Sequence, residues 1–438
     1  MKKVFCILMF MFPVVGFAQW TALSSGTTGN LSSIFFTDAN TGYAAGSTQD
    51  EYPLIIKTTD GGITWNELSS GISGYAIIYS IFFNNADTGY IVCWEEIISP
   101  KGIILKTING GTVWNPLSSG NNFNLNSVYF INANTGFAVG QMGNLFKTNN
   151  GGALWIDQSQ ETGYNLNSVY FINADTGYTA GGDLWDAEDG PMNGGILKTT
   201  DGGNQWTSIA AGEYALQSVY FTDANTGYAV GMWWQKVNAE ECSQGTVILK
   251  TTNGGADWVN QSSGIPDQYT SISNDFIDNL YSVYFTNADT GYAVGDSGRI
   301  IKTTDGGTNW IRQTSGTTST LNSVFFVGRD TGYVAGSNGI ILKTTNGGGY
   351  PAGLNKLPSK PNTIKIYPNP SSDRVTIETS AISTQNQLSI MNLSGQEVLT
   401  SQLTKASIII DISGLPCGVY VVKLIGSKGM QMGKFVKE

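Results

Sequence analysis

Three clusters in this sequence combine residue types that could hold or cut a polar ligand. The first is Asp183-Leu-Trp185-Asp186-Ala-Glu188-Asp189, an acidic run around one indole. Its carboxylates could gather a cation and Trp185 could stack on a sugar ring. The run lacks the alternating ligand spacing of a calcium loop, so a solvated loop is the favoured expectation. The second is Trp233-Trp234-Gln-Lys236 with Glu240-Glu241, joined by Trp94-Glu95-Glu96 in another repeat. Indoles beside polar groups suit carbohydrate or protein recognition, and equally suit anchoring a long insertion. The third is a pair of rim carboxylates, such as Asp186 and Glu240, acting as acid and base of a glycosidase. That chemistry needs ~5–10 Å between them, which linear spacing does not specify. Trp94, Trp185, Asp186, Trp233, Trp234 and Glu240 are therefore the candidate ligand contacts, and no catalytic residue is assigned. Histidine is absent, which removes His-based triads and His metal sites. No metal or cofactor is expected.

The elements that must position these clusters are repeats. A phrase written Lys57-Thr-Thr-Asp-Gly-Gly-Ile-Thr-Trp65 recurs with drift from Lys106, Lys147, Lys198, Lys250, Lys302 and Lys343. An upstream phrase, Leu31-Ser-Ser-Ile-Phe-Phe, leads through Ala-Asn-Thr-Gly to Tyr43, with relatives ending at Tyr90, Phe137, Tyr178, Tyr228, Tyr292 and Tyr333. Repeats of ~40–50 residues with several short strands each are the mark of propeller blades. Four strands fit one repeat: a (Leu-x-Ser-Val-Tyr-Phe), b (Tyr-Ala-Val-Gly), c (Gly-Ile-Ile-Leu-Lys) and d, opening at Trp. The copy from Lys343 has no Trp; the missing one stands at the other end of the chain as Trp20. A ring needs its last unit completed by its first strand, whereas a linear stack does not. The expected fold is all-β, a seven-bladed propeller over residues 19–349 closed by its N-terminal strand.

Antiparallel strands put the a–b and c–d turns on one rim and the b–c and d–a loops on the other. Every insertion falls in the second class: Ser47 to Pro53, Trp94 to Lys101, Gly182 to Asn193, Met232 to Thr246 and Ile265 to Asn279. That rim is where function is expected.

Lys2 and Lys3, the apolar stretch from Val4 to Val15 and Gly16-Phe17-Ala18 read as a signal peptide over residues 1–18, cleaved near Ala18. No later run is long enough to span a bilayer. Cys93, Cys242 and Cys417 are an odd set with no regular spacing, so no disulfide framework is expected, and a Cys93–Cys242 bridge is disfavoured. The net charge of −10 is concentrated in the repeats and disfavours nucleic acid or an anionic membrane. Residues 350–362 form a Pro-containing linker. A small β-sandwich is expected over 363–438, with strands at Arg374–Thr379, Gln387–Asn392, Ser407–Ile412 and Val419–Ile425.

Thr58-x-Asp60-x-Gly62-x-Thr64-Trp65 resembles the Asp-box of BNR-like repeats, found in sialidases, sortilin-type receptors, xyloglucanase-type hydrolases and photosystem II assembly-factor-like propellers. The joint Thr-Gly-Tyr and Lys-Thr-Thr-Asp-Gly-Gly phrasing is most similar to the assembly-factor-like group, over roughly residues 20–348. The resemblance implies a structural role for Asp60, Asn109, Asn150, Asp201, Asn253, Asp305 and Asn346, between the third and fourth strands. Asn in place of Asp keeps the acceptor and drops the charge, which suits a turn brace. A sialidase site would need a cluster of arginines, and the repeats hold only Arg299, Arg312 and Arg329.

Ile366-Tyr-Pro-Asn-Pro370, Leu388-Ser-Ile-Met-Asn-Leu-Ser-Gly-Gln-Glu397, Gly414-Leu-Pro-x-Gly-Val-Tyr-Val-Val-Lys423 and Lys434-Phe-Val-Lys437 resemble, in order, a type IX secretion sorting domain. The resemblance implies the type IX machinery of a Bacteroidota outer membrane as partner. It also implies removal of the tail, and surface attachment or release of the rest. The combined expectation is an exported binding propeller that recognises a protein or glycan through its insertion-rich rim. A secreted glycoside hydrolase using rim carboxylates is the alternative, and a structural surface protein without a specific ligand is a third.

Overall fold

The computed structural model describes residues 19–95, 101–117, 123–183, 193–236, 241–264, 268–271, 279–349, 364–379, 386–392, 397–403, 405–426 and 429–438. The chain divides into two compact units, Met1–Ala352 and Gly353–Glu438. Among the described residues every regular element is a strand except two single 3-10 turns, Gln141–Gly143 and Ser337–Gly339.

Among the described residues the first unit holds seven antiparallel sheets, numbered here in chain order. Sheet 1 runs in order a–d through Asn30–Phe36, Gly42–Ser47, Pro53–Thr58 and Asn66–Leu68. Sheets 2 to 6 repeat that order, and sheet 7 is the exception that closes the ring. Its strands Leu321–Phe326, Gly332–Gly336 and Ile341–Thr344 take their fourth partner from Thr21–Leu23 at the start of the chain. The pairing is Thr21 with Lys343, Ala22 with Leu342 and Leu23 with Ile341. Trp20 is 2% exposed and sits edge-on to Tyr292 and Phe326, as Trp65 sits edge-on to Phe36 in sheet 1.

Strand a lies at the centre. The backbone N–H after the serine of each Leu-x-Ser phrase (Ile78-Tyr79-Ser80 in sheet 2) donates to the serine hydroxyl of the preceding strand a. Ile81 reaches Ser33, Val128 reaches Ser80, Val169 reaches Ser127 and Val219 reaches Ser168. Val283 then reaches Ser218, Val324 reaches Ser282, and Ile34 of sheet 1 reaches Ser323 of sheet 7. The circuit is complete. An aromatic girdle follows the same path: Phe35, Phe82, Tyr129, Tyr170, Tyr220, Tyr284 and Phe325, each in contact with the next and the last with the first.

On the a–b and c–d rim, each Asp-box turn is gripped by the preceding sheet. The Tyr43 hydroxyl and Lys57 Nζ both donate to the Gly110 carbonyl, at 3.0 and 2.8 Å. The same pair recurs around the ring to Tyr333 and Lys343 of sheet 7, which reach Gly61 of sheet 1 at 2.8 and 2.7 Å. Sheet 3 departs from it because Phe137 has no hydroxyl, and Lys147 there donates to the Asn204 side chain. Within the box, Asp60 accepts from the Thr58 hydroxyl, the Thr64 N–H and the Thr64 hydroxyl. Thr58 in turn accepts the N–H of Gly62, whose φ of +87° a side chain would strain.

Those bonds, led by the Thr64 hydroxyl, hold the Asp60 carboxyl down to about 2, from its ordinary 3.8. A depressed folded-state value stabilises the fold above the unfolded value and is lost as pH falls through the folded one. Asp60→Ala is therefore expected to lower Tm at pH 7, with the deficit shrinking as pH approaches 2. A deficit that stays constant across that range would rule out the carboxylate as its source.

The second unit packs a three-stranded sheet (Lys365–Tyr367, Arg374–Glu378, Ser407–Asp411) on a four-stranded one (Glu397–Leu403, Asn386–Met391, Gly418–Gly426, Gly429–Lys437). Val375, Ile377 and Ile410 of one sheet share a buried core with Leu388, Ile390, Val422, Leu424 and Phe435 of the other. Three of these strands, Lys365–Tyr367, Glu397–Leu403 and Gly429–Lys437, are absent from the sequence-based expectation, because Lys, Gln and Gly interrupt their apolar alternation.

Candidate functional site

The residue between Leu and Ser in strand a is the extra residue of a β-bulge. In sheet 1, Leu31 pairs with Gly46 and Ser33 with Ala45, which leaves Ser32 unpaired in the ladder. A bulge bends the strand and re-aims a side chain. The bend presses strand a against its neighbour: a Cβ on Gly46 would lie 1.8 Å from the Asn30 carbonyl oxygen. That contact explains the closing Gly of the Tyr-Ala-Val-Gly phrase.

The same irregularity occurs in every strand a around the ring. It delivers Ser32, Tyr79, Asn126, Asn167, Gln217, Tyr281 and Asn322 to one axial cavity of about 470 Å³. Asn124, Gln141, Asn165 and Gly182 complete the described lining. Each bulge lies near the start of strand a, so the cavity opens on the rim of the b–c and d–a loops, where the insertions gather. The aromatic girdle lies deeper along the same strands.

The lining is rich in amides and hydroxyls. Nδ2 of Asn126, Asn167 and Asn322 donates to the carbonyls of Leu166, Leu216 and Leu31 in the following sheet. Burial, then the Glu51 charge, pushes the Tyr79 phenol up, and burial followed by Asp296 does the same to Tyr281. Asp296, buried behind Tyr281, accepts from the Asn279 N–H and the Thr320 hydroxyl, and burial raises its carboxyl. The described lining holds no carboxylate, amine or guanidinium. What such a mouth can do is bind through hydrogen bonds.

Neither Trp94 nor Trp233, candidates from the sequence that are described, is among the described lining of this cavity. Trp94 is half-buried at the end of strand Gly89–Glu95, paired with Ile77 and Gly102. Trp233 is half-buried, pairs with Tyr214 and Gly245, and packs on the core that contains Tyr178 and Leu216. Trp234 extends the same strand opposite Gln244. Trp185, Asp186 and Glu240 lie outside the described residues, as do residues 1–18. Part of the Met232 to Thr246 insertion is not loop: strands Gly227–Lys236 and Glu241–Thr251 continue sheet 5 beyond the rim, and Gln268–Ser271 adds a further strand. Paired backbone groups make a long hairpin cheaper to order than a free loop of that length.

The Asp-box acceptors lie on the opposite rim. Asn109, Asn150, Asp201, Asn253, Asp305 and Asn346 each accept the hydroxyl of the Thr two residues before them, as Asp60 does. Cys93 is a free buried thiol, pushed up to about 12 by burial and then by Glu95.

The seven bulge residues were missed from sequence, although a signal existed. Between an aliphatic residue (Leu, or Ile78 in the second repeat) and a constant Ser, the middle position varies among Ser, Tyr, Asn and Gln. A variable polar column between fixed neighbours marks a surface free of packing duties.

Residues 365–438 match the family model of the secretion system C-terminal sorting domain. The tail is a secretion sorting domain. It makes the chain a secreted or cell-surface protein handled by type IX secretion, and no helix among the described residues is long and apolar enough to cross a membrane. No curated protein matches the chain. Among solved structures, YCF48 bound to D1 peptide is 18% identical, with a TM-score of 0.54, covering 76% of this chain and 99% of its own. YCF48 from Cyanidioschyzon merolae is 18% identical at a TM-score of 0.53, covering 74% and 98%. An ancestral GH74 enzyme is 13% identical at 0.53, covering 95% of this chain and 63% of the enzyme. At these identities the likeness shows the fold: a β-propeller carrying a sorting tail.

Proposed function

We propose that this protein is a binding propeller, delivered to the cell surface or medium, that captures a protein or glycan on its insertion-rich rim. The axial cavity is the centre of that surface. One observation carries the reading: seven bulges converge polar side chains on a single cavity, on the rim where the chain places its insertions. Loops on a rigid scaffold are where recognition concentrates, and most of the sheets leave only a short outer strand as a free edge. On the opposite rim the boxes brace turns and clasp neighbouring sheets.

A hydrolase reading requires an acid and a base flanking the scissile bond. The described cavity lining supplies neither, and nothing in its geometry favours that chemistry. Turnover of a polysaccharide, abolished by changing a rim carboxylate, would overturn the binding reading.

Gln217 offers a clean test. Its Nε2 is buried without a partner, so Gln217→Ala removes no internal hydrogen bond. Surface capture on an array of defined neutral glycans and peptides should fall about tenfold in Gln217→Ala. Tm should hold. Equal capture by the variant and the parent would remove the cavity from the binding surface.

A further inference from the structure

We infer that the axial cavity receives a basic side chain, a lysine ammonium or an arginine guanidinium, carried on a peptide segment of a partner protein. This deepens the proposed function and rests on the rim being a binding surface.

The orientation of the wall amides comes first. Asn126 Nδ2 donates to the Leu166 carbonyl and to Asn167 Oδ1, both at 3.1 Å. Asn322 Nδ2 donates to the Leu31 carbonyl at 2.9 Å. A carbonyl oxygen can only accept, so neither amide can be turned round without setting oxygen against oxygen. With their nitrogens tied into the wall, the side-chain carbonyls of Asn126 and Asn322 are the atoms left for a ligand. The mouth offers acceptors and calls for donors.

Charge decides which donors. No Lys or Arg stands in the described lining, while carboxylates stand close behind it. Asp183 Oδ1 accepts the N–H of the lining residue Asn165 at 3.1 Å, and Asp296 Oδ2 meets the Tyr281 hydroxyl at 3.5 Å. Arg299 partly offsets Asp296 within the wall. A neutral sugar would use the acceptors and gain nothing from these charges. A cation uses both. The net charge of −10 favours the approach of a cationic partner to the protein as a whole. The insertion-rich rim around the mouth offers a surface to the peptide backbone on either side of that basic side chain.

The test titrates the full-length protein calorimetrically with end-blocked pentapeptides carrying lysine, glutamine or glutamate at the centre, and with a neutral oligosaccharide. The lysine peptide should bind at least about tenfold more tightly than the glutamine peptide, and the glutamate peptide should not bind. Its affinity should fall as salt rises. Ser32→Asp, which adds a carboxylate at the mouth, should tighten the lysine peptide; Ser32→Lys, which plants a cation there, should abolish its binding. Thermal melts of both variants separate loss of the site from loss of the fold. Equal affinity for the lysine and glutamine peptides overturns the charge inference and leaves the rim a binding surface. No saturation by the lysine peptide at millimolar concentration overturns it as well. In that case, oligosaccharide binding that Gln217→Ala weakens would keep the proposed function, and its absence would remove that too.

Discussion

Deleting residues 20–25 should open the ring and produce the largest loss of stability available to a short truncation of this protein. Trp20 is 2% exposed between Tyr292 and Phe326, and emptying such a site costs roughly 3–5 kcal/mol. The deletion also removes Leu23, which packs against the cluster of Trp65 and Tyr333 shared by sheets 1 and 7. The three backbone pairings of Thr21, Ala22 and Leu23 go with it. Strand Ile341–Thr344 then becomes a bare edge, open to pairing with another molecule. Tm should fall by on the order of 10 °C or more, with aggregation on heating. Trp20→Ala alone should recover much of the drop while leaving the backbone pairings in place. A deletion variant that melts like the parent would show that the terminal strand decorates a ring already closed by other contacts.

The second large effect concerns delivery. Residues 365–438 match the sorting domain and fall in a compact unit separate from the propeller. Removing residues 363–438 should abolish appearance of the protein at the cell surface or in the medium. A folded propeller should collect in the periplasm of a host with type IX machinery. Fractionation with immunodetection reads the outcome, and protease resistance of the retained fragment shows that it folded. Surface delivery of the truncated protein at parental levels would refute the role of the tail.

The two expectations differ in how far the sequence alone supports them. Sorting motifs are local strings, so the tail can be read without folding the chain. Asp-boxes are also local: Asp60 meets groups two and four residues away, and such turns repeat wherever the residues do. Ring closure was readable for a different reason. A Trp missing from the Lys343 phrase and present at Trp20 is a defect of count, visible in a periodic text.

Other features had no such local trace. Tyr43 and Lys57 look like ordinary strand residues until both reach the Gly110 carbonyl, more than fifty residues on. The insertions suggested recognition by their Trp and carboxylates, yet Trp233 packs onto the core of its own neighbourhood. Meanwhile the outer part of the hairpin, where residues 232–236 pair with residues 242–246, read as a loop, because Gly, Gln and Glu obscure its alternation.

The periodic residues by themselves determined the strands, the braced turns, the closure and the export tail, since each depends on neighbours in sequence or on counting repeats. Only the tertiary structure decided which side chains line the axial cavity. A bulge places Ser32, Tyr79, Asn126 and their counterparts on the axis, and no residue carries its distance from that axis in its own identity. Seven positions, each unremarkable in its strand, line one cavity because antiparallel pairing and ring symmetry bring their side chains together.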